Sequence, residues 1–331
     1  PPGPFCSRNF MSENTRPHSR DTPTVFILMA TFNGGLHIGA QLESIASQTF
    51  SNWSLWISDD GSHDTTIAQI KAFSKANPDH DIRLFQGPQK GPAQNFLSLL
   101  SHPDLPSGPV AFADQDDVWF DDKLARAVLE LSKHPQDQAV AYSCADIATD
   151  SSLKPLNQRS RRIEFASFPN ALIQNVMRGN SIVLNTKATE VLRSTAVPAT
   201  AGTGVAFHDW WAYVVLSGAA ARIVIDPKPG LLYRQHGTNA MGANVGLRSL
   251  VIRFKLLRSR QHQNWISSNL KALGEVSEIL TVESKSQLAE FQEIRKMRGY
   301  RGFRGFLKSG MKRQTKTGTA IMAILAFFGR L

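Results

Sequence analysis

The sequence predicts an α/β fold with a mostly parallel central sheet flanked by helices. Its first apolar run, residues 24–31 (TVFILMAT), has strand length and no polar face, which is typical of a strand buried on both sides. Further apolar runs then alternate with segments of helical periodicity as far as residue 150. Short turns connect these elements, and strands that alternate with helices in this way pair in parallel within one covered sheet.

The individual elements follow from the spacing of apolar residues and from turn signals. A turn rich in Asn and Gly, residues 32–35, ends the first strand and leads into the first helix. Strands are predicted at residues 24–31, 53–58, 82–86, 110–113 and 140–147, and helices at 37–47, around 67–73, at 93–100 and at 123–132. After residue 150 the alternation is less strict. Helices are predicted there at 170–179, 187–194 and 208–216, strands at 181–184, 222–225 and 231–235, and a flexible loop at 197–206.

Composition favours a globular protein. With 42% hydrophobic and 19% charged residues, the chain can bury a substantial core. Its two cysteines, Cys6 and Cys144, form no disulfide framework, and Cys144 lies in an apolar run, as a reduced core residue of a cytosolic protein would. No apolar run reaches about 18 residues, so no transmembrane helix is expected. Residues 1–22 are polar and predict a disordered leader.

The positive charge is concentrated in the C-terminal part. Residues 246–331 contain 17 Lys and Arg against 5 Glu and no Asp, a net charge of +12, whereas the whole chain carries +10, which leaves about −2 for residues 1–245. Phe303, Phe306 and Leu307 fit one helical face beside basic residues, which predicts a helix lying on anionic lipid. The alternative is a helix that packs on the rest of the protein with its basic face in water. No recognised module accompanies the basic residues, so nucleic acid is not expected as a partner.

Two acidic segments follow predicted strands of the parallel sheet. Asp59 and Asp60 follow the second strand, and Asp114, Asp116 and Asp117 follow the fourth. Ligands of such sheets bind beyond the carboxyl ends of the strands, so both segments belong to one candidate site. Crowded carboxylates favour a hard divalent cation such as Mg²⁺ or Mn²⁺. The alternative for each segment is a solvated turn that caps the following helix.

The segment 208–211 (HDWW) is the most distinctive one outside the acidic turns. Two adjacent tryptophans on one helix are not expected both to face the core. The sequence therefore predicts that Trp210 or Trp211 is exposed, with an aromatic plane suited to the apolar face of a sugar. The alternative is a Trp pair packed between the helix and a loop. His236 is either a metal or phosphate ligand or a structural histidine.

In their order and spacing, these segments resemble the family 2 glycosyltransferases, which have the GT-A (nucleotide-diphospho-sugar transferase) fold. The resemblance runs from about residue 24 to residue 242. Within that family it is nearest to the bacterial rhamnosyltransferase-like enzymes of surface polysaccharide synthesis, such as O-antigen synthesis. The motifs that carry it are Ala30-Thr31-Phe32-Asn33-Gly34, Gln41-Leu42-x-Ser44-Ile45, Asp59-Asp60-Gly61-Ser62-x-Asp64, Asp114-Gln115-Asp116-Asp117, Gly179-Asn180-Ser181, His208-Asp209-Trp210-Trp211 and Tyr233-Arg234-Gln235-His236-Gly237.

The resemblance implies a role for each matching residue. Asp209 corresponds to the general base, and Asp116 with His236 would hold Mn²⁺ or Mg²⁺ at the donor diphosphate. His208, Trp210 and Trp211 would contact the acceptor. The donor nucleotide site would consist of Ala30, Thr31, Asn33, Asp59, Asp60, Asp114 and Gln115.

The expected reaction is inverting, metal-dependent transfer of one sugar from a nucleotide sugar to a glycan or lipid-linked saccharide. The resemblance favours dTDP-L-rhamnose as donor, and the absence of a Gln-x-x-Arg-Trp motif after Asp209 favours single-sugar transfer. A sugar nucleotidyltransferase would need a basic residue in the loop 32–36, which lacks one. A non-catalytic binding subunit would not need Asp209 and the acidic cluster together.

The sequence divides into three parts under this hypothesis. Residues 1–22 are the leader, and residues 23–245 form the catalytic domain, with a nucleotide-sugar-binding half (23–150) and an acceptor-binding half (151–245). Residues 246–331 form a helical, basic C-terminal region that attaches to an anionic membrane surface. We therefore expect a cytoplasmic protein, peripheral on the inner face of the bacterial cytoplasmic membrane.

Overall fold

One mixed sheet forms the centre of the protein. The computed structural model describes residues 23–156, 162–201, 204–235 and 260–331. Within these ranges the sheet has eight strands in the order β3-β2-β1-β4-β7-β6-β8-β5. The strands are β1 (Val25–Thr31), β2 (Trp53–Asp59), β3 (Ile82–Gln86), β4 (Val110–Asp114), β5 (Val118–Trp119), β6 (Val140–Thr149), β7 (Ile182–Leu184) and β8 (Arg222–Arg234).

Most strand pairs are parallel, as the sequence predicts. Strands β3, β2, β1 and β4 pair in parallel, and so do β6 and β8. Strand β7 is antiparallel to both β4 and β6, and the two-residue β5 is antiparallel to β8. The carboxyl ends of β1, β2 and β4 therefore meet at one edge of the sheet, where the two acidic turns lie.

Helices cover both faces of the sheet. Alternate residues of β1 face opposite sides: Leu28 belongs to one apolar cluster, and Ile27 belongs to the other. The helices are α1 (Ile38–Ala46), α2 (Thr66–Ala76), α3 (Pro92–Leu100), α4 (Lys123–Leu131), α5 (Phe168–Ala171), α6 (Thr186–Ser194), α7 (Ala196–Thr200), α8 (His208–Gly218), α9 (Gln261–Glu275), α10 (Val282–Lys296), α11 (Gly299–Lys308) and α12 (Lys316–Phe327), with 3₁₀ turns at Gly179–Ser181 and Ser277–Ile279.

The C-terminal helices share a hydrophobic core with the sheet. Phe291 and Phe306 are fully buried in the same apolar cluster as Leu28 and Trp211. The main-chain N–H of Thr281 also donates to the carbonyl of Gly218, at the end of α8, at 3.1 Å. Helix α8 is thus covered on both sides, and apolar residues surround it, as in a helix buried all round.

Four local predictions are wrong in detail. The helix predicted at 170–179 is limited to Phe168–Ala171, since the Asn175 side chain accepts from the Met177 N–H and turns the chain. The loop predicted at 197–206 contains α7, in which Pro198 lies in the first turn, where its missing N–H costs nothing. The strands predicted at 222–225 and 231–235 are one strand, β8, with register shifts. The short strand β5 was not predicted.

The C-terminal face predicted for lipid contact is also wrong. Phe306 is fully buried and Phe303 half-buried, so those two side chains pack on the protein, as the alternative stated. Cys144 is buried and free, as predicted. The predicted leader, residues 1–22, and the stretch 236–259 lie outside the described residues. In the described part of the chain, no helix is long and apolar enough to cross a membrane.

Candidate active site

Asp59 holds the turn at the end of β2 together. Its Oδ2 accepts from the Thr31 hydroxyl at 2.9 Å, and its Oδ1 accepts from the N–H groups of Gly61 and Ser62 at 3.0 and 2.7 Å. Because these bonds occupy both carboxylate oxygens, Asp59 joins the ends of β1 and β2 and supports the site from behind.

Asn33 links the same two turns at the surface. It adopts a left-handed backbone conformation, with φ 48°, which Asn tolerates better than most residues. Its N–H donates to the Ser62 hydroxyl at 2.8 Å, and its side-chain oxygen accepts from the His63 N–H at 2.9 Å. The turns after β1 and β2 therefore form one rigid wall at the carboxyl edge of the sheet.

Asp60 fixes the loop that leads into α3. Its two oxygens accept from the N–H groups of Gln89 and Gly91, at 3.0 and 3.1 Å. The residue is buried, and burial raises the pKa of its carboxyl group despite these bonds. Asp60 therefore shapes the pocket that the sequence analysis assigns to the nucleotide base.

Gln115 clamps the turn after β1. Its amide accepts from the Phe32 N–H and donates to the Phe32 carbonyl, each at 3.0 Å. The close approach explains Gly34, because a Cβ there would lie 2.2 Å from the Gln115 side-chain oxygen. The clamp leaves the Phe32 ring 53% exposed at the edge of the site. Sequence reasoning missed Phe32, although a large aromatic residue in a polar turn was a usable signal.

The acidic turn after β4 combines three carboxylates in different environments. Asp117 is fully buried, accepts from the side-chain amide of Asn180 and has its pKa raised by burial. Asp114 is partly exposed; burial of its carboxyl and the negative charges of Asp116 and Asp209 together raise its pKa to about 8. This electrostatic interaction shows that Asp209, from a helix far along the chain, lies close to the acidic turn.

Asp209 lies in the first turn of α8. Its Oδ1 accepts from the Trp210 N–H at 2.7 Å and its Oδ2 from the Gly179 N–H at 3.2 Å, and the Asn175 side chain bonds it as well. Burial raises its pKa to about 6, above the usual range for Asp. The helix terminus and these donors hold a carboxylate whose basicity exceeds that of a solvated one.

The neighbours of Asp209 do not match the sequence prediction. Trp210 is 5% exposed and Trp211 is fully buried, and their indole N–H groups donate to the Ala171 carbonyl and the Thr195 hydroxyl. The prediction of an exposed tryptophan is therefore wrong, because α8 is buried on every side and the packed alternative holds. His208 is buried too: its ring lies 3.9 Å from that of Phe96, and burial lowers its pKa to about 3.

A buried lysine lies under the acidic turn. Lys123 is fully buried, and its Nζ lies 3.1 Å from the centre of the Trp119 ring without a hydrogen-bond partner among the described residues. Burial lowers its pKa to about 7, whereas Asp117 and Asp114 favour its charged form. Lys123 therefore supplies an internal positive charge to a cluster of negative ones. The sequence predicts that a helix begins at this residue but indicates no role for its side chain.

Arg234, at the end of β8, joins that strand to the acidic turn. The side chain is buried; its Nε donates to the Asp116 carbonyl at 2.8 Å, and its Nη1 donates to the Ser151 carbonyl. The sequence identifies Arg234 only as part of the motif Tyr233-Arg234-Gln235-His236-Gly237 and predicts no role for it. Two residues farther on is His236, the second predicted metal ligand, which lies outside the described residues.

The acidic cluster fits a divalent cation by charge. The negative charges of Asp116 and Asp209 raise the pKa of Asp114, and a nearby cation relieves that repulsion. Within residues 23–235 and 260–331, apart from the short gaps in them, no group of three or more His, Cys, Asp or Glu is arranged to hold a metal.

Solved structures give the fold class of the protein. S. aureus TarS, residues 1–349 in complex with UDP, superposes with a TM-score of 0.51 at 14% identity, covering 82% of this chain and 71% of that one. The same protein in another crystal structure gives a TM-score of 0.50, covering 75% of this chain and 65% of that one. With the curled mixed sheet, these neighbours establish the GT-A fold of glycosyltransferases.

Sequence comparison then gives the family. Residues 26–194 match the family described as Glycosyl transferase family 2. The chain is also 30% identical over 263 residues to a Shigella flexneri protein named dTDP-rhamnosyl transferase RfbG, covering 75% of this chain and 86% of that protein. A shorter match, 33% over 116 residues, is to the Escherichia coli UDP-Glc:alpha-D-GlcNAc-diphosphoundecaprenol beta-1,3-glucosyltransferase WfgD, and covers 34% of this chain and 43% of that protein. The protein belongs to glycosyltransferase family 2.

Proposed function

We propose that the protein transfers a single sugar, with inversion, from a nucleotide sugar to a glycan or lipid-linked saccharide. The observation that supports this most directly is that the Gly179 N–H donates to Asp209, while the next residue, Asn180, donates to Asp117 of the acidic turn. A candidate base and a candidate donor-binding turn thus share one edge of the sheet. Direct displacement at a sugar carbon requires a base for the acceptor hydroxyl and a binding site for the donor, and these two groups lie close together here.

The donor nucleotide would lie against the wall formed by the turns after β1 and β2. Ala30, Thr31, Asn33 and Asp60 surround this position, with Asp59 behind it. The side chains of Thr31 and Asn33 already bond to the neighbouring turn, so they shape the pocket as much as they contact its occupant. Gln115 acts in the same way by fixing the main chain of Phe32.

The diphosphate would lie at the acidic turn with Mn²⁺ or Mg²⁺. Asp116 and His236 are the proposed protein ligands, and the cation would neutralise the negative charge that develops on the departing diphosphate. Asp114 would lie near the ribose. Lys123 lies below this turn and offsets part of its negative charge from inside the protein.

The acceptor hydroxyl would attack from the face opposite the diphosphate. Asp209 takes its proton as the new bond to the sugar forms, because the hydroxyl becomes acidic only at that stage. Burial raises the pKa of Asp209 to about 6, which makes it a stronger base than a solvated Asp and leaves it ionised at pH 7. With one base and one leaving group on opposite sides, a single displacement inverts the sugar carbon.

The exposed aromatic surface for a sugar ring would come from Phe32. Its ring lies at the carboxyl end of β1, held by Gln115, and it takes over the role that the sequence analysis assigned to Trp210 and Trp211. His208 is buried against Phe96, so it shapes α8 and has no exposed face for an acceptor.

For the donor we propose a dTDP-linked 6-deoxyhexose, with dTDP-L-rhamnose first. The support is the 30% identity, across most of both chains, to the protein named as a dTDP-rhamnosyl transferase. The corresponding setting is bacterial surface polysaccharide synthesis, including O-antigen, on the inner face of the cytoplasmic membrane.

Thermal stabilisation by nucleotides tests the proposal. A ligand that binds only the folded state adds about 2.7 kcal/mol of stability at 100 times its Kd. We expect dTDP and dTDP-L-rhamnose to stabilise the protein in the presence of Mn²⁺, and dTDP-L-rhamnose to turn over with a suitable acceptor. Stabilisation and turnover with UDP-hexoses but not with dTDP sugars would reject the donor. No stabilisation by any nucleotide would reject the site.

A further inference from the structure

Exposed apolar side chains are concentrated at the C-terminal end of the described chain. Eleven large apolar side chains of the described residues are exposed, and six of them fall between residues 297 and 328. They are Met297, Tyr300, Leu307, Ile324, Phe327 and Phe328. Single exposed apolar residues are ordinary, whereas a cluster indicates a surface that meets a partner.

Helix α12 presents one continuous exposed row. Lys316, Ala320, Ile324, Phe327 and Phe328 are exposed and recur at helical spacing, so they lie on one face. The opposite face, which includes Met322 and Leu325, is buried. The rings of Phe327 and Phe328 are 5.3 Å apart and close to perpendicular, which gives the row a broad aromatic end.

A basic residue just before α11 lies beside this aromatic end, and α11 itself carries further positive charge. Gly302 lets the two helices approach closely, because a Cβ there would lie 2.5 Å from the carbonyl oxygen of Ala326. The side chain of Arg298 lies next to Gly329, just beyond α12. An exposed row on α11, with Tyr300, Arg304, Leu307 and Lys308 at helical spacing, lies on the side of that helix away from Gly302 and is rich in positive charge. We call the exposed residues of both rows, with Arg298, the hairpin face.

The charge of this region is of one sign. Residues 295–331 contain ten Lys and Arg and no Asp or Glu. A second copy of the chain would bring two such positive surfaces together, which costs energy at moderate salt. An acidic protein would match the charge, but the row of Ile and Phe on a helix flanked by Lys and Arg is typical of a helix lying in a lipid interface.

We infer that the hairpin face binds the surface of an anionic lipid bilayer, with Ile324, Phe327 and Phe328 entering the interface and the basic residues contacting lipid phosphates. The inference rests on the proposed function only in that a lipid-linked acceptor would be met at such a surface. It replaces the predicted face of Phe303, Phe306 and Leu307, of which only Leu307 is exposed.

Vesicle co-sedimentation of the full chain tests the inference. The two lipid samples are phosphatidylcholine alone and an equal mixture of phosphatidylcholine and phosphatidylglycerol. One variant replaces the apolar row (Ile324→Ser, Phe327→Ser, Phe328→Ser), and another reverses charge on α11 (Arg304→Glu, Lys308→Glu). The matched controls change exposed residues elsewhere: Leu129→Ser with Val282→Ser, and Lys71→Glu with Lys75→Glu.

The wild type should bind the anionic vesicles and not phosphatidylcholine alone, and its binding should weaken as salt rises. Each hairpin variant should lose about tenfold or more in vesicle affinity, and the controls should keep theirs. Equal binding by the apolar-row variant and the wild type would overturn the inference, as would a wild type that binds neither vesicle. A dimer that dissociates in the apolar-row variant would assign the face to self-association instead.

Nucleotide stabilisation with Mn²⁺ is measured on the same proteins. Because the substituted side chains are exposed, we expect the hairpin variants to keep this stabilisation, which also shows that they fold. Loss of vesicle binding without loss of nucleotide binding supports the hairpin face. Vesicle binding by a protein that no nucleotide stabilises would reject the proposed function while leaving the hairpin face intact.

Discussion

The main-chain N–H of Arg234 donates to the buried carboxylate of Asp117 at 3.1 Å, and the guanidinium of the same residue donates to the carbonyl of Asp116. One residue of β8 therefore fixes both the side chain and the main chain of the acidic turn. Because the turn belongs to β4 and its ties come from β8, the proposed metal site depends on the correct pairing of distant parts of the sheet.

Replacing Arg234 should change the metal requirement. A lysine at this position can reach one of the two carbonyls but lacks the planar fork that reaches both. We expect Arg234→Lys to need about tenfold more Mn²⁺ for half-maximal activity, with kcat at saturating Mn²⁺ largely kept. Arg126→Lys, which changes a partly buried arginine paired with Asp226, is the control. An unchanged Mn²⁺ titration for Arg234→Lys would show that the residue does not position Asp116.

Asp209→Asn should remove the base and keep the shape of the site. We expect kcat to fall by about 10²–10⁴-fold while nucleotide affinity stays unchanged. In the wild type, kcat/KM should decrease as the pH falls through about 6, because the carboxyl group then becomes protonated. Asp122→Asn, on the partly exposed side of α4, serves as the control. Near-normal turnover of Asp209→Asn would place the base elsewhere.

Asp116→Ala should abolish metal-dependent donor binding. Without the proposed ligand, a nucleoside diphosphate and Mn²⁺ together should stabilise the protein no more than the nucleotide does alone. Chelation of the wild type should have the same effect. Thermal unfolding with and without Mn²⁺ measures both, and full stabilisation of the variant would exclude a metal bridge through Asp116.

Metal binding should release a proton at pH 7. The pKa of Asp114 is raised to about 8, so its carboxyl group is mostly protonated at that pH. A divalent cation at the same turn favours the charged form and expels the proton. Calorimetric titration with Mn²⁺ and nucleotide, in two buffers of different ionisation enthalpy, measures the release. We expect it to vanish in Asp114→Asn; equal release in both proteins would contradict the assignment.

The buried His208 should make the fold sensitive to acid. Burial lowers its pKa from 6.5 to about 3. Between these values the unfolded chain binds a proton at this residue and the folded chain does not, so stability is lost as the pH falls, by up to about 1.4 kcal/mol per pH unit. The raised pKa of Asp209 acts in the opposite direction. Comparing His208→Phe with the wild type by urea unfolding from pH 7 to pH 4 isolates the histidine, and parallel curves would refute its contribution.

Phe32→Ala should weaken catalysis without weakening the fold. Its ring is 53% exposed, so truncation leaves little cavity, whereas a sugar packed on it would lose an aromatic contact. We expect kcat/KM to fall by about two- to tenfold at an unchanged melting temperature. Leu36→Ala, 92% exposed two residues beyond the same turn's Gly34, is the control. Equal kcat/KM for both variants and wild type would remove Phe32 from the site.

The first half of the fold could be predicted because its elements carry local signals. The five strands predicted as far as residue 147 appear within two residues of their expected ends. Four of them contain a buried apolar run, and only β3 is partly exposed along its length. The position of Asp209 beside Asp114 could be inferred only through the resemblance, because 95 positions of sequence separate them. Spacing alone cannot show which turn a distant helix meets.

The wrong predictions share a physical cause. The prediction for Trp210 and Trp211 assumed that their helix has one buried face. In the structure α8 packs against the sheet on one side and against the C-terminal helices on the other. Phe306 was placed at the surface for the same reason, because the packing of α11 on α12 is not visible in the periodicity of α11 alone. Local pattern gives the faces of a helix, and tertiary contacts decide how many of them are buried.

The burial of α8 between the sheet and the C-terminal helices makes the candidate active site depend on the region that carries the proposed lipid-binding face. At Gly218, where α8 ends, a Cβ would lie 2.5 Å from Leu280 and 2.9 Å from Phe168, so both regions close tightly on the helix that carries Asp209. Proteolytic cleavage before α9 would remove the C-terminal helices that pack on α8. The candidate active site and the proposed lipid contact would then be lost together. Active fragments that lack the C-terminal helices should therefore not accumulate, and if the hairpin face binds lipid, control over the enzyme's location would have to act on the lipid or on the intact chain.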